Sequence, residues 1–189
     1  MKRKADLNQI YQNSRDLFLR KGYDAVKVDE ICASVGITKP TFYAFKINKR
    51  DLLIHAYQAP EKEEIKNPDQ MSDDQIHREI FRILDLVTDQ IFKNGPDLLR
   101  DLLRLHFHES CLDSLLTPNW RQVMIKLISV GQKRKLIHNQ CDPLTITKVI
   151  AAYITGYSFQ YAMQQAEESR TNLHEGVDVI LQIGDAYES

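Results

Sequence analysis

Residues 38 to 44, Thr-Lys-Pro-Thr-Phe-Tyr-Ala, carry side chains that could read DNA. On a helix, Phe42 would face inward while Lys39, Thr41 and Tyr43 would face outward. Short polar, cationic and aromatic groups near the N-terminus of a helix are suited to contact phosphates and base edges. We therefore predict a segment that binds double-stranded DNA, with Lys39, Thr41 and Tyr43 facing the major groove. The candidate DNA-binding residues are Lys27, Thr38, Lys39, Pro40, Thr41, Tyr43, Ala44 and Lys49.

The cysteines and histidines do not form a catalytic or metal-binding pattern. Cys32, Cys111 and Cys141 are widely spaced, which indicates buried or half-buried residues rather than disulfides or a CxxC site. His108 and Cys111 could share a helix face, whereas His106 and His108 would point in different directions. We predict no metal and no cofactor. An enzyme is the second hypothesis, but the chain lacks a glycine-rich phosphate loop and a nucleophile motif.

Two short helices would position the candidate DNA-binding residues. The first is predicted from Val28 to Val35, where apolar residues recur on one face. Gly36 suits the left-handed conformation that ends a helix. Thr38 can cap the next helix, and Pro40 lies in its first turn, where a missing N–H is tolerated. The pattern is that of a helix-turn-helix, although an ordinary helical hairpin would look similar.

The flanking segments favour the helix-turn-helix. A helix from Leu7 to Lys21, capped by Asp6 and ended by Gly22, would pack behind the two short helices. A fourth helix beginning at Asn48 would connect them to the rest of the chain.

Charge is distributed unevenly along the chain. The net charge is −1, but residues 1–50 hold 11 Lys and Arg against 5 Asp and Glu, and the remainder holds 14 against 21. A basic N-terminal part can neutralise phosphates, while an acidic body keeps away from the duplex. The N-terminal part is therefore the predicted DNA-binding end.

The segment from Ile10 to Leu53 resembles the DNA-binding domain of the TetR family of transcriptional regulators. The resemblance is carried by Leu17-Phe18, Gly22-Tyr23, Val28, Ile31, Gly36-Ile37, Thr41-Phe42-Tyr43 and the run from Asn48 to Leu53. Three residues depart from the family pattern: Lys27 replaces a Ser or Thr cap, Pro40 a frequent glycine, and Lys46 a common aromatic residue. Because of Lys46, we expect Phe45 to supply packing and the end of this helix to be rotated or shortened.

The rest of the chain is predicted to be helical, which gives an all-α fold of about nine helices. The predicted domains are residues 1–50, a helix-turn-helix DNA-binding domain, and 51–189, a helical ligand-binding and dimerisation domain. The helices of the second domain are expected from a capping box at Ser72 to Lys93, from Leu98 to Leu116, from Thr117 to Lys135, from Leu144 to Gln165, and from Leu173 to Tyr187.

The helix from Leu144 to Gln165 holds a single charge, Lys148, and is apolar on two sides. A helix with two apolar faces must bury both, so one face needs a partner. An isologous homodimer would satisfy this requirement, and the resemblance also implies dimerisation through the last two helices. The candidate interface residues are Ala152, Gly156, Phe159, Met163, Ile180 and Gly184.

Aromatic and methionine residues in the body suggest a cavity for a small-molecule effector, in agreement with what the resemblance implies. An ordinary core position is the competing interpretation of each residue. The candidate lining residues are Phe81, Leu84, Leu103, His106, Phe107, Trp120, Met124 and Tyr153. Asp85 and Glu109 leave a cationic apolar ligand open. The competing interpretation is that both are solvated surface residues.

The leading functional hypothesis is a transcriptional repressor that is released from a palindromic operator by an effector. The alternative is a constitutive DNA-binding or adaptor protein without an effector, whose body would pack solidly. The chain shows neither a signal-peptide pattern nor a stretch of 18 apolar residues. We therefore expect a cytoplasmic protein with no membrane partner.

Overall fold

The computed structural model describes residues 6–57, 67–108, 118–164 and 170–183 of the 189-residue chain. These residues form nine α-helices and a short 3-10 helix, Pro68–Gln70, with no strand among them, so the predicted all-α fold is confirmed. The helices are α1 Leu7–Lys21, α2 Val28–Val35, α3 Lys39–Ala44, α4 Lys49–Tyr57, α5 Asp73–Phe92, α6 Gly95–His108, α7 Pro118–Lys133, α8 Pro143–Ala162 and α9 Arg170–Leu181.

The chain folds into two compact units. The first falls within Met1–Gln58 and Asn94–Leu115, and the second within Ala59–Lys93 and Leu116–Ser189. The first unit thus includes α6, which the sequence places in the second domain. Compact packing does not by itself define a functional domain, so the division into 1–50 and 51–189 stays a proposal.

Local capping explains the helix ends of the first unit. Asp6 accepts a hydrogen bond from the Asn8 amide at the start of α1, and Gly22 follows its end at φ 79°. Gly36 ends α2 in the left-handed region at φ 69°. Before α4, the Asn48 side chain accepts from the Asp51 amide and the Asp51 carboxylate accepts from the Asn48 amide. The predicted limits of α1 and α2 are confirmed.

The second unit also begins its helices at predicted caps. Ser72 and Gln75 form the reciprocal capping box at the start of α5, and Asp142 accepts from the Thr145 amide at the start of α8. Several predicted limits are wrong. The helix α6 begins at Gly95 rather than Leu98, and α8 ends at Ala162 rather than Gln165. The helix α9 begins at Arg170 rather than Leu173 and ends at Leu181, after which Gln182 adopts a positive φ of 56°. The predicted continuation to Tyr187 lies outside the described residues.

The core of the second unit joins α5, α7, α8 and α9. The buried stripe of α8 consists of Ile146, Thr147, Ile150, Ile154, Ser158 and Ala162. Val149, an apolar residue beside this stripe, is 47% exposed. No described helix is long and apolar enough to span a membrane.

The cysteines differ in their surroundings. Cys32 is buried, as predicted, and burial raises the pKa of its thiol. Cys141 is exposed, so the interpretation of it as a buried residue is wrong. Cys111 lies outside the described residues. Within the part of the chain that is described, no three His, Cys, Asp or Glu side chains form a group suited to a metal ion.

Candidate nucleic-acid interface

The helix α3 is held in place by its first turn and by one aromatic side chain. The Thr38 hydroxyl accepts a hydrogen bond from the Thr41 amide at 3.4 Å and lies 2.9 Å from the Thr41 hydroxyl. Phe42 is fully buried. The helix is short: it ends at Ala44, and Lys46 adopts a positive φ of 55°. This agrees with the expectation that Lys46 would shorten it.

The outward face of α3 carries the predicted reading residues. Lys39, Pro40, Thr41, Tyr43 and Ala44 are all exposed. Tyr43 is 55% exposed, and its ring meets the buried Phe42 ring edge-on at 5.3 Å between centroids. This contact positions the Tyr43 ring while leaving more than half of the residue exposed.

Lys27 and Thr38 lie at the starts of the two short helices. Lys27 occupies the N-cap position of α2 and makes no side-chain capping hydrogen bond. Both residues are exposed. Their position at the starts of helices is compatible with phosphate contacts, since helix N-termini favour anions.

Lys39 is engaged by an acidic residue of α2. Its Nζ lies 2.9 Å from Oδ1 of Asp29. The hydrogen bond and the charge of Asp29 raise the pKa of Lys39, so the side chain is a cation at neutral pH.

Lys49 packs against the scaffold rather than extending freely into solvent. Its Nζ lies 4.2 Å from the centroid of the Tyr23 ring and donates to the Asp24 carbonyl at 3.5 Å. Burial lowers the pKa of Lys49, while the carboxylates of Asp24 and Asp101 oppose that shift. A phosphate contact by Lys49 would therefore compete with a cation–π contact.

Polar contacts from α6 and the residue before it stabilise the first unit near Tyr23 and Asp24. The sequence did not predict these contacts. Asp101 accepts from the Tyr23 amide at 3.2 Å, and Arg104 pairs with Asp24 at 2.7 Å. Asn94, just before α6, accepts from Arg15 at 2.7 Å and donates to the Ala56 carbonyl at 3.0 Å. These residues are 38 to 80 positions apart from their partners, and sequence spacing carries no signal for such pairs.

The predicted pocket residues are distributed over both units. Phe81, Leu84, Trp120 and Met124 are buried in the core of the second unit, and Tyr153 packs against that core. Leu103 is buried in the first unit. The side chains of His106 and Phe107 lie outside the described part, as does Glu109. Asp85 pairs with His174 at 2.8 Å.

The predicted interface residues of α8 share an exposed face. Ala152, Gly156, Phe159 and Met163 are exposed, and the large apolar side chains Phe159 and Met163 are 43% and 47% accessible. On α9, Ile180 is half-buried. Gly184 lies outside the described residues.

Comparison of the sequence with known proteins finds a family match within the first unit. The family described as bacterial regulatory proteins, tetR family, matches residues 10–56. The chain is also 39% identical over 54 residues to the transposon Tn10 TetC protein of Escherichia coli. That match covers 29% of this chain and 27% of the TetC protein, so it concerns only a minor part of each protein.

Solved structures resemble the chain over nearly its whole length. One is a TetR family transcriptional regulator from Pseudomonas syringae pv. tomato, with a TM-score of 0.59 and 17% identity over 95% of this chain and 97% of that one. Another, a transcriptional regulator from Saccharomonospora viridis in complex with choline, has a TM-score of 0.55 and 18% identity over 93% and 94%. At these identities the similarity is one of fold.

Proposed function

We propose that this chain is a transcriptional repressor of the TetR family, a proposal supported by the match of residues 10–56 to that family and by the fold shared with a TetR family regulator. In this proposal a homodimer binds a palindromic operator and a small-molecule effector releases it. The effector acts by binding more tightly to a conformation that fits the operator poorly. It can weaken operator binding only by that difference in affinity.

The observation that carries the proposal is the division of α3 into a buried and an exposed side. Phe42 anchors the helix in the first unit, while Lys39, Thr41 and Tyr43 remain accessible. A recognition helix needs both properties, because its side chains can read base edges only if the helix itself is held rigidly. A hydroxyl, an ammonium and a phenol are all able to hydrogen-bond to the major groove.

The homodimer is supported by the exposed apolar face of α8. Val149, Phe159 and Met163 are each more than two-fifths exposed, and Ala152 and Gly156 lie between them at helical spacing. The two small residues would let a second helix approach closely. A second copy of the chain offers the same face, as a two-fold symmetric interface requires.

An effector site in the second unit is supported by Trp120. The residue is 5% exposed, and among the residues that the structure describes its indole nitrogen has no hydrogen-bond partner. A buried donor without a partner is costly, and an effector with a hydrogen-bond acceptor would satisfy it. The choline of the Saccharomonospora viridis protein is a cation, whereas Asp85 is already engaged by His174. We therefore favour an uncharged apolar effector that carries an acceptor group.

One observation favours the alternative, a DNA-binding protein without an effector. Phe81, Leu84, Trp120 and Met124 all belong to one continuous core cluster, and a solidly packed body is what that alternative predicts. One test separates the two functions. Only the effector-controlled repressor requires a compound that both binds near Trp120 and lowers operator affinity.

The experiment that tests DNA reading is selection of bound duplexes from a random-sequence pool by the purified protein. We expect enrichment of an inverted repeat whose half-sites are separated by one helical turn, about 34–36 Å, or a multiple of it. The control is a Phe42→Ala variant, which should lose the anchored helix and with it the enrichment. Recovery of no common sequence by the wild-type protein would contradict the proposed function.

A further inference from the structure

The carboxylate of Asp29 lies beside the exposed side of α3, where DNA binding alone would not require a negative charge. Asp29 is the second residue of α2, and Lys39 is the first residue of α3. Both side chains of the ion pair are more than half exposed, 51% for Lys39 and 65% for Asp29. The pair therefore lies on the outer surface of the helix-turn-helix.

The neighbouring acidic residue has a different partner. Glu30 pairs with Lys21 of α1, and this hydrogen bond lowers the pKa of Glu30. The first turn of α2 thus holds one carboxylate that engages the scaffold helix and one that engages the recognition helix. The negative charges of Asp29 and Glu30 would both repel DNA. Of these two residues, only Asp29 is paired with Lys39.

We propose that Asp29 acts as an intramolecular substitute for a DNA phosphate, which holds Lys39 on α2 when the duplex lacks the operator sequence. The inference rests on the proposed DNA-binding function and assigns a specificity-determining role to Asp29. A carboxylate and a phosphate compete for the same ammonium group, and the carboxylate is tethered beside it. Non-specific DNA offers Lys39 a phosphate and nothing more, so the pair with Asp29 persists.

An operator can separate the pair because base-edge contacts add to the phosphate contacts. An exposed ion pair is weak, so its loss is easily offset on the correct sequence. The effect is to lower affinity for wrong sequences more than for the right one. Such a repulsive or competing element is a general route to specificity.

The test is the Asp29→Asn variant bound to a short duplex of scrambled sequence, followed by fluorescence anisotropy over a range of salt concentrations. The amide keeps the shape of the side chain and removes its charge. At low salt we expect binding about two- to fivefold tighter than that of the wild type, the range given by the strength of an exposed ion pair. The dependence of log K on log salt should steepen by about 0.9, the value for one further phosphate neutralised.

Two controls separate restraint of Lys39 from a general change in charge. Glu30→Gln removes the same charge one residue away and should produce a smaller gain with an unchanged salt slope. In a Lys39→Ala background, Asp29→Asn should no longer steepen the slope. An unchanged slope in Asp29→Asn, an equal effect of Glu30→Gln, or a steeper slope that persists without Lys39 would each overturn the inference.

The same experiment distinguishes this inference from the proposed function. If the wild-type protein binds neither scrambled duplex nor selected sequences, the proposed function itself is wrong. If the wild type binds DNA and Asp29→Asn behaves identically to it, only the role of Asp29 is wrong.

Discussion

Thr41 and Tyr43 present two different kinds of chemistry on the exposed side of α3. The Thr41 hydroxyl is engaged with Thr38 at 2.9 Å, so its methyl group and one lone pair remain available for a base edge. The Tyr43 ring is positioned by its edge contact with Phe42, and more than half of the residue is exposed. Thr41 is suited to a thymine methyl or a nearby hydrogen-bond donor, and Tyr43 to hydrogen bonding at greater reach.

Substitution of these two residues should change base preference rather than affinity alone. We expect Thr41→Ala and Tyr43→Phe to reduce discrimination at one base pair of each half-site by about 1–3 kcal/mol. The salt dependence of operator affinity should stay close to that of the wild type in both variants, because neither substitution removes a charge. Binding to a panel of single-base operator variants measures this. Uniform weakening across the whole panel would show that the two side chains do not read bases.

Trp120 permits a direct test of the effector site, since the chain contains a single tryptophan. Binding of an effector near the indole should change the intrinsic fluorescence and lower operator affinity over the same concentration range. Trp120→Phe keeps an aromatic ring but removes the N–H donor, so it should weaken effector binding about two- to tenfold. Calorimetric titration measures the affinity of the variant, which has lost the fluorescent probe. A compound that releases the operator and binds Trp120→Phe with unchanged affinity would place its site elsewhere.

At the scale of elements, the first unit depends on a contact between the segment before α6 and two other helices. Asn94 is 4% exposed, and its amide group links Arg15 of α1 to the carbonyl of Ala56 in α4. Both functional groups of the side chain are used, and aspartate could serve only one of them. Asn94 therefore fixes α4 relative to α1 through hydrogen bonds that no apolar residue could replace.

Asn94→Ala should destabilise the first unit by about 1–3 kcal/mol, because the buried Ala56 carbonyl loses its donor. Urea denaturation monitored by circular dichroism measures the loss. Asn8→Ala is the matched control: Asn8 is exposed on α1, and its replacement should change stability by less than about 0.5 kcal/mol. Equal stability of Asn94→Ala and the wild type would mean that solvent replaces both hydrogen bonds without cost.

At the scale of the whole molecule, the apolar face of α8 stays exposed in the described part of a single copy of the chain. Gly156 lies in the middle of that face, and a Cβ atom added there would meet no atom within 4 Å among the described residues, apart from the backbone of α8 itself. A larger side chain at this position should thus leave the fold of the monomer intact and clash only with a partner subunit.

Gly156→Leu should consequently yield a folded, helical monomer with greatly reduced operator affinity. Two half-sites about 34–36 Å apart cannot be bound by one subunit. Analytical ultracentrifugation gives the oligomeric state, and circular dichroism checks the fold. Gln122→Leu is the control, because it adds the same side chain at an exposed position of α7. A Gly156→Leu variant that sediments as a dimer with normal operator affinity would exclude this face as the interface.

The local sequence determined the helices of this protein and the division of α3 into two sides. The caps Asp6, Ser72 and Asp142 accept hydrogen bonds from backbone amides within a few residues, and the glycine after α2 ends that helix by its own backbone conformation. Such local effects can be predicted from the sequence without knowing how the helices pack. Periodicity likewise identified Phe42 as an anchor and Tyr43 as an exposed residue, since a helix fixes the direction of each side chain.

Only the tertiary structure decided which partners these elements take. The pair of Asp29 with Lys39, the contact of Lys49 with Tyr23 and the links made by Asn94 all join residues from different helices. The exposure of Val149 belongs to the same class, because an apolar residue near the edge of a stripe can face either side. Such choices depend on how helices pack against one another, and the spacing of residues along one helix contains no information about the position of the next.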